Sequence, residues 1–229
     1  MAANPRDDLA GIAFDAFGTL FDLTALRVRT RQAAGHEGDE LFAAFKERLI
    51  PWTWHVTASG DYEPLAELAA EAVQAAARAA GLRLERSRAE WVVEGMKELP
   101  AFDDVRAGLE RLHEAGIPLA VLSNGTASGI QSILAHNGLD GVFAHVLVAD
   151  SVKRFKPARE VYALAVDAFG GPPERVMLVS GHEWDVAGAA RAGLRTAWLA
   201  RGEKFTPVLD VQADLDAEDL RELAARLAG

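Results

Sequence analysis

A doubly wound α/β fold, its parallel sheet interrupted by a helical cap after the first strand, is the fold class that this sequence predicts. Three observations point to it. Five short apolar, partly β-branched runs alternate with helical patterns, the order expected of a parallel sheet wrapped by helices. Gly116, Gly138, Gly170 and Gly193 each follow one of those helical patterns, where a helix-ending glycine belongs. Between about residues 23 and 98 the alternation stops, and the pattern is helical with no convincing strand.

The first strand is predicted over Gly11–Phe14, and further strands over 118–122, 146–148, 176–179 and 196–199. Helices are predicted over 103–115, Ala127–His136, 158–169 and 185–192, and a last one over 216–228, which opens on acidic residues. Within the strandless segment, Leu65, Leu68, Ala69, Ala72, Val73 and Ala76 give residues 64–80 one apolar helix face. Asp22 reads as the cap of the first inserted helix. The insertion follows the first strand so closely that it is placed over the strand ends. The domains are then a core of 1–22 and 99–229 and a cap of 23–98.

Composition narrows the function. The chain has 229 residues, half of them hydrophobic, and a formal net charge of −10, which argues against nucleic acid and anionic membranes as partners. It has no cysteine, so disulfides, thiolate metal sites and a cysteine nucleophile are excluded, and a cytoplasmic location is expected. Arg6, Asp7 and Asp8 precede the first apolar run, unlike a signal peptide, and no apolar stretch reaches membrane-spanning length. His36, His55, His113, His136 and His145 lack metal-ligand spacing and are expected at the surface.

Four motifs carry chemistry. In Ile12-Ala13-Phe14-Asp15-Ala16-Phe17-Gly18-Thr19 a buried strand delivers a carboxylate to the carboxyl end of the sheet, where open α/β folds bind ligands. Asp15 is a candidate nucleophile or metal ligand. Ser123 and Asn124, in Leu122-Ser123-Asn124-Gly125, offer short polar groups at the same rim, close to the free N–H groups of the next helix. In Phe155-Lys156-Pro157 the proline suits the first turn of a helix and holds Lys156 at its entrance, able to pair with Asp15 or an anionic substrate. In Ser180-Gly181-His182-Glu183-Trp184-Asp185, Asp185 is placed to cap a helix, to act as a general base, or to orient Lys156, and Trp184 supplies an apolar wall.

With four motifs in this order and spacing, the chain resembles the haloacid dehalogenase superfamily over the whole core, its insertion lying where that superfamily carries a cap. It looks most like the type II L-2-haloacid dehalogenase branch. Phosphatases of the superfamily have a second aspartate two residues after the nucleophile, where this chain has Phe17. They also hold Mg²⁺ with acids of the fourth motif, where Ser180 stands at the first acidic position. The resemblance therefore implies a cofactor-free hydrolase whose partner is a small 2-haloacid. Asp15 attacks C2, halide leaves with inversion, and water hydrolyses the aspartyl ester to the 2-hydroxy acid.

In that mechanism Asp185 and Lys156 assist hydrolysis and Thr19 fixes the Asp15 carboxylate. Ser123 and backbone N–H groups bind the substrate carboxylate, Asn124 joins the halide cradle, and Tyr162 and Ser180 match further polar positions of the family's site. The chain departs from the family in three places. Lys46 stands where an arginine receives the halide, and it lacks the planar fork of that residue. The neighbouring Arg48 would lie on another helix face. Phe17 replaces a tyrosine, and His182 replaces an asparagine, which adds a group titrating near neutral pH. The competing readings are a Mg²⁺-dependent phosphatase or phosphonate hydrolase and a non-catalytic binder of small carboxylates. A homodimer is expected by analogy.

Overall fold

β1 (Gly11–Phe14) is buried along its whole length, as an unbroken apolar strand inside a parallel sheet must be. In the computed structural model, which describes residues 8–201 and 204–229, it lies parallel between β2 (Leu119–Ser123) and β4 (Val176–Ser180). The charged residues Arg6 and Asp7 lie outside the described residues. β3 (His145–Val148) extends the sheet beyond β2, while β5 (Arg195–Leu199) and β6 (Leu215–Ala217) extend it beyond β4. The order is β3-β2-β1-β4-β5-β6, all parallel. The chain thus winds outward in both directions from the β1–β4 junction, the topological switch point at which such sheets bind ligands. Phe14 is in register with both Val121 and Val179, so Asp15 emerges level with the ends of two neighbouring strands.

Between Leu23 and Glu98 the described chain forms helices and short 3₁₀ turns and no strand: α1 (Leu26–Ala34), α2 (Gly38–Ser59), α3 (Leu65–Ala79) and α4 (Arg86–Glu94). Asp22 caps the opening 3₁₀ turn, accepting the Thr24 N–H at 2.8 Å. The six residues expected to form the apolar face of α3 are all buried. Each buried leucine or valine there contributes roughly 1.5–3 kcal/mol. Contacts near the strand ends fix the insertion to the rest of the molecule. The Tyr62 hydroxyl donates to Asp150 at 2.9 Å, Phe155 N–H donates to Thr57 Oγ1 at 3.0 Å, and the Trp54 and Trp184 rings meet edge-on at 5.9 Å.

The remaining helices are α5 (Val105–Glu114), α6 (Ala127–His136), α7 (Arg159–Phe169), α8 (Glu183–Arg191) and α9 (Leu220–Ala228). Gly116, Gly138, Gly170 and Gly193 all take positive φ at the ends of helices, as expected. The sheet has one strand more than the sequence predicts. β6 lies inside the acidic run taken as the start of the last helix, and its three residues are too few to show an alternating pattern. The true cap of α9 is Asp219, which accepts the Glu222 N–H at 2.9 Å. Two further expectations are corrected. Pro157 precedes α7 rather than entering it, and the Lys156–Pro157 peptide is cis. His145 is half-buried in the edge strand β3, its ring 5.7 Å from that of Phe169.

Candidate active site

Asp15 follows β1 and donates its backbone N–H to Val179 O at 3.0 Å, which ties it to the adjacent strand end. The chain then turns sharply at Gly18, whose φ of +79° suits glycine. A Cβ on Gly18 would also lie 2.9 Å from the His182 imidazole. The turn brings Thr19 back, and its hydroxyl donates to Asp15 Oδ2 at 2.6 Å while accepting the Gly181 N–H at 2.9 Å. Arg201 clamps the same turn from outside. Its guanidinium donates twice to Thr19 O, at 2.9 and 2.6 Å, and to Asp104 Oδ1 at 2.7 Å.

Lys156 is fully buried, and its ammonium bridges two carboxylates, Asp15 Oδ1 at 3.1 Å and Asp185 Oδ2 at 2.9 Å. Asn124 fixes its backbone, accepting the Lys156 N–H at 2.9 Å. Asp185 does not cap α8. It lies within the first turn, fully buried, and its second oxygen accepts the Tyr162 hydroxyl at 2.7 Å. Of the three roles open to Asp185 from sequence, the geometry excludes capping and pairs the carboxylate with Lys156. Tyr162 is itself fully buried behind Asp185, so it meets the carboxylate rather than an open space.

Burial alone would raise the Asp15 carboxyl, but the Lys156 ammonium, His182 and the Thr19 hydroxyl outweigh it and hold the group below its ordinary value. Burial alone would likewise lower Lys156, and the two carboxylates outweigh that to hold it above its ordinary value. Burial and the neighbouring Asp185 push the Tyr162 phenol well upward. Asp15 is therefore held as a carboxylate and Lys156 as an ammonium, with a neutral tyrosine behind them.

The other predicted residues surround the triad of Asp15, Lys156 and Asp185. Ser123 ends β2 and accepts the Gly125 N–H at 3.0 Å, which leaves its hydroxyl proton to donate. Ser180 ends β4 and accepts the His182 N–H at 3.2 Å. His182 Nε2 lies 2.8 Å from Phe17 O and 3.7 Å from Asp15 Oδ2. Since a carbonyl only accepts, this nitrogen carries the proton. The His182 ring stacks on Trp184 at 5.5 Å.

A cavity of about 90 Å³ opens beside Asp15, lined by Asn124, His182, Trp184 and Phe17 from the core. Lys46, Phe45, Leu49, Ile50, Leu65 and Met96 line it from the insertion, together with Leu23. Lys46 reaches it with its ammonium 5.8 Å from the Phe42 ring. Arg48 donates to Ala44 O at 2.8 Å and is not among the lining residues. Arg201 and the apolar lining from the insertion were not singled out from sequence. Arg201 acts on a turn 182 residues earlier, a pairing that no local motif announces. Among the described residues, no group of three or more histidine or acidic side chains is arranged to hold a metal ion.

Fold and site together define a doubly wound α/β protein with a strand-end aspartate at its switch point. A sequence model described as haloacid dehalogenase-like hydrolase matches residues 9–193, and the chain belongs to that family, in its L-2-haloacid dehalogenase-like branch. It is 31% identical to a (S)-2-haloacid dehalogenase of Pseudomonas sp. (strain YL), over 94% of this chain and 93% of that one. A crystal structure of an L-2-haloacid dehalogenase superposes with a TM-score of 0.92 at 30% identity, covering 97% of this chain and 100% of that one. A dehalogenase crystallised with its intermediate complex gives 0.89 at 31% identity, covering 97% and 99%.

Proposed function

We propose that this protein hydrolyses short L-2-haloacids to 2-hydroxy acids without a metal, through an ester on Asp15. The observation that carries the reading is the buried Lys156 bridging Asp15 and Asp185, with Phe17 rather than an acid on the cavity wall. Thr19 and Lys156 each hold one oxygen of the Asp15 carboxylate, so the nucleophile is fixed and ionised. One oxygen attacks C2 from the side opposite the halide, the C–halogen bond breaks, and halide leaves with the bonding pair. Lys46 and Asn124 face the cavity as its cradle. Ser123 and the N–H groups near the start of α6 receive the substrate carboxylate.

Esterification removes the charge of Asp15 and leaves Asp185 as the remaining carboxylate of the triad. Water adds to Cγ of Asp15 and gives up a proton towards Asp185. The ester C–O bond then breaks, the hydroxy acid leaves with its hydroxyl proton, and the Asp15 carboxylate is restored with release of one proton. A phosphatase needs an acid to protonate its leaving group, and Phe17 has no proton to give. Asp15 and Asp185 are already bridged by the Lys156 ammonium, which supports a site working without Mg²⁺. In this reading the cap is 23–98, the core is 1–22 and 99–229, and the enzyme acts in the cytoplasm as a homodimer.

The test is a single panel of L-2-chloropropionate and small phosphoesters, with and without EDTA. Chloride release undiminished by EDTA, and lost by at least about a thousandfold in Asp15→Asn, is the expected result. Phosphate release that EDTA abolishes, with no chloride from the haloacid, contradicts it.

A further inference from the structure

We propose, resting on the dehalogenase reading, that the enzyme accepts 2-haloacids with an alkyl chain of several carbons, and that this chain lies in a second cavity. That cavity measures about 240 Å³, against about 90 Å³ for the one at Asp15. Phe17, Leu65 and Met96 line both cavities and so form their common wall. The polar groups of the Asp15 cavity, Asn124, His182 and Lys46, are not shared with the second cavity, so the shared side is its apolar side. An alkyl substituent at C2 is best placed against this apolar wall, with the carboxylate and halide towards the polar groups.

Beyond the wall the second cavity continues as an apolar chamber, with Val93 and Ala66 from the insertion facing Ile130 of α6. Glycine keeps its floor open. A Cβ on Gly125 would approach Ile130 Cδ1 and Phe17 Cε2 to 3.3 Å each. Met96 is the adaptable member of the wall, since an unbranched thioether side chain shifts at small cost. Polar and charged residues, among them Glu94, Lys97 and Ser128, complete the lining, and Lys97 pairs with Glu94 at 2.5 Å. The occupant that fits is an uncharged chain attached to an acid already held at Asp15.

The test is a chain-length series of 2-bromopropionate, 2-bromobutanoate, 2-bromohexanoate and 2-bromooctanoate, followed by bromide release. In the wild type kcat/KM should rise by roughly fourfold per added methylene until the chamber is full. Ala66→Phe fills the chamber from the exposed first turn of α3, and Glu94→Phe fills it from the exposed last turn of α4. Each variant should lower kcat/KM for 2-bromohexanoate at least about tenfold and leave 2-bromopropionate within about twofold. A steep fall with chain length in the wild type overturns the proposal. So do variants that slow every acid equally, since that outcome makes the chamber a passage to Asp15. Absence of bromide release even from 2-bromopropionate overturns the dehalogenase reading itself, and this proposal with it.

Discussion

Lys156 carries its charge where water does not reach, and two carboxylates make that tolerable. An ammonium buried without partners would lose its proton, and the two carboxylates without it would repel one another. Lys156→Met is therefore expected to destabilise the protein by about 3–5 kcal/mol, read from urea unfolding. The pH dependence follows from the direction of each shift. Asp15 is held below its ordinary value of 3.8, so its stabilisation is present above that pH and is lost as pH falls through the lower native value. Lys156 is held above its ordinary value of 10.5, so its contribution is present below that pH and is lost as pH rises through the higher native value. The stability gap between wild type and Lys156→Met should narrow as pH falls below 3.8 and as it rises past 10.5. A gap of constant size in both acid and alkali would show that packing, not this triad, governs the difference. Asp15 and Asp185 are legible because each sits in a short motif after a strand, and Lys156 because Pro157 marks a helix entrance beside it. Arg201 and Tyr62 are not, because their partners Thr19 and Asp150 lie far away in sequence.

At the level of elements, the site depends on how closely α7 and α8 approach. Gly188 allows this contact. A Cβ there would lie 2.3 Å from the Tyr162 hydroxyl oxygen and 2.6 Å from Pro157 Cβ. Gly188→Ala should force the helices apart at a cost of about 1–3 kcal/mol, lowering the melting temperature. Because Tyr162 holds Asp185, the same change should lower kcat for chloride release even at temperatures where the variant stays folded. Full activity in a folded Gly188→Ala enzyme would show that the Tyr162–Asp185 bond is dispensable. Most elements could be read from sequence because buried parallel strands and amphipathic helices differ in pattern. β6 could not, since a three-residue edge strand amid acidic residues resembles the charged first turn of a helix. The position of Pro157 was misread for a related reason: proline suits both a helix start and the turn before it.

For the whole molecule, the fold brings four widely separated motifs to one switch point, and the helical insertion closes the cavity above them. Motif order is enough to predict this arrangement, because strand ends in a doubly wound parallel sheet all point the same way. The apolar lining supplied by α2 and α3 stayed hidden, because a residue facing a cavity and one facing the helical interior share the same periodicity. In the proposed reaction Asp15 attacks carbon and water later attacks Asp15. A single turnover of excess enzyme with L-2-chloropropionate in ¹⁸O-water, followed by mass analysis of the peptide containing Asp15, tests this directly. The expected result is ¹⁸O in the Asp15 carboxylate and none in the first-formed 2-hydroxy acid. Label in the hydroxy acid with an unlabelled Asp15 peptide would contradict it, since water would then have displaced the halide itself.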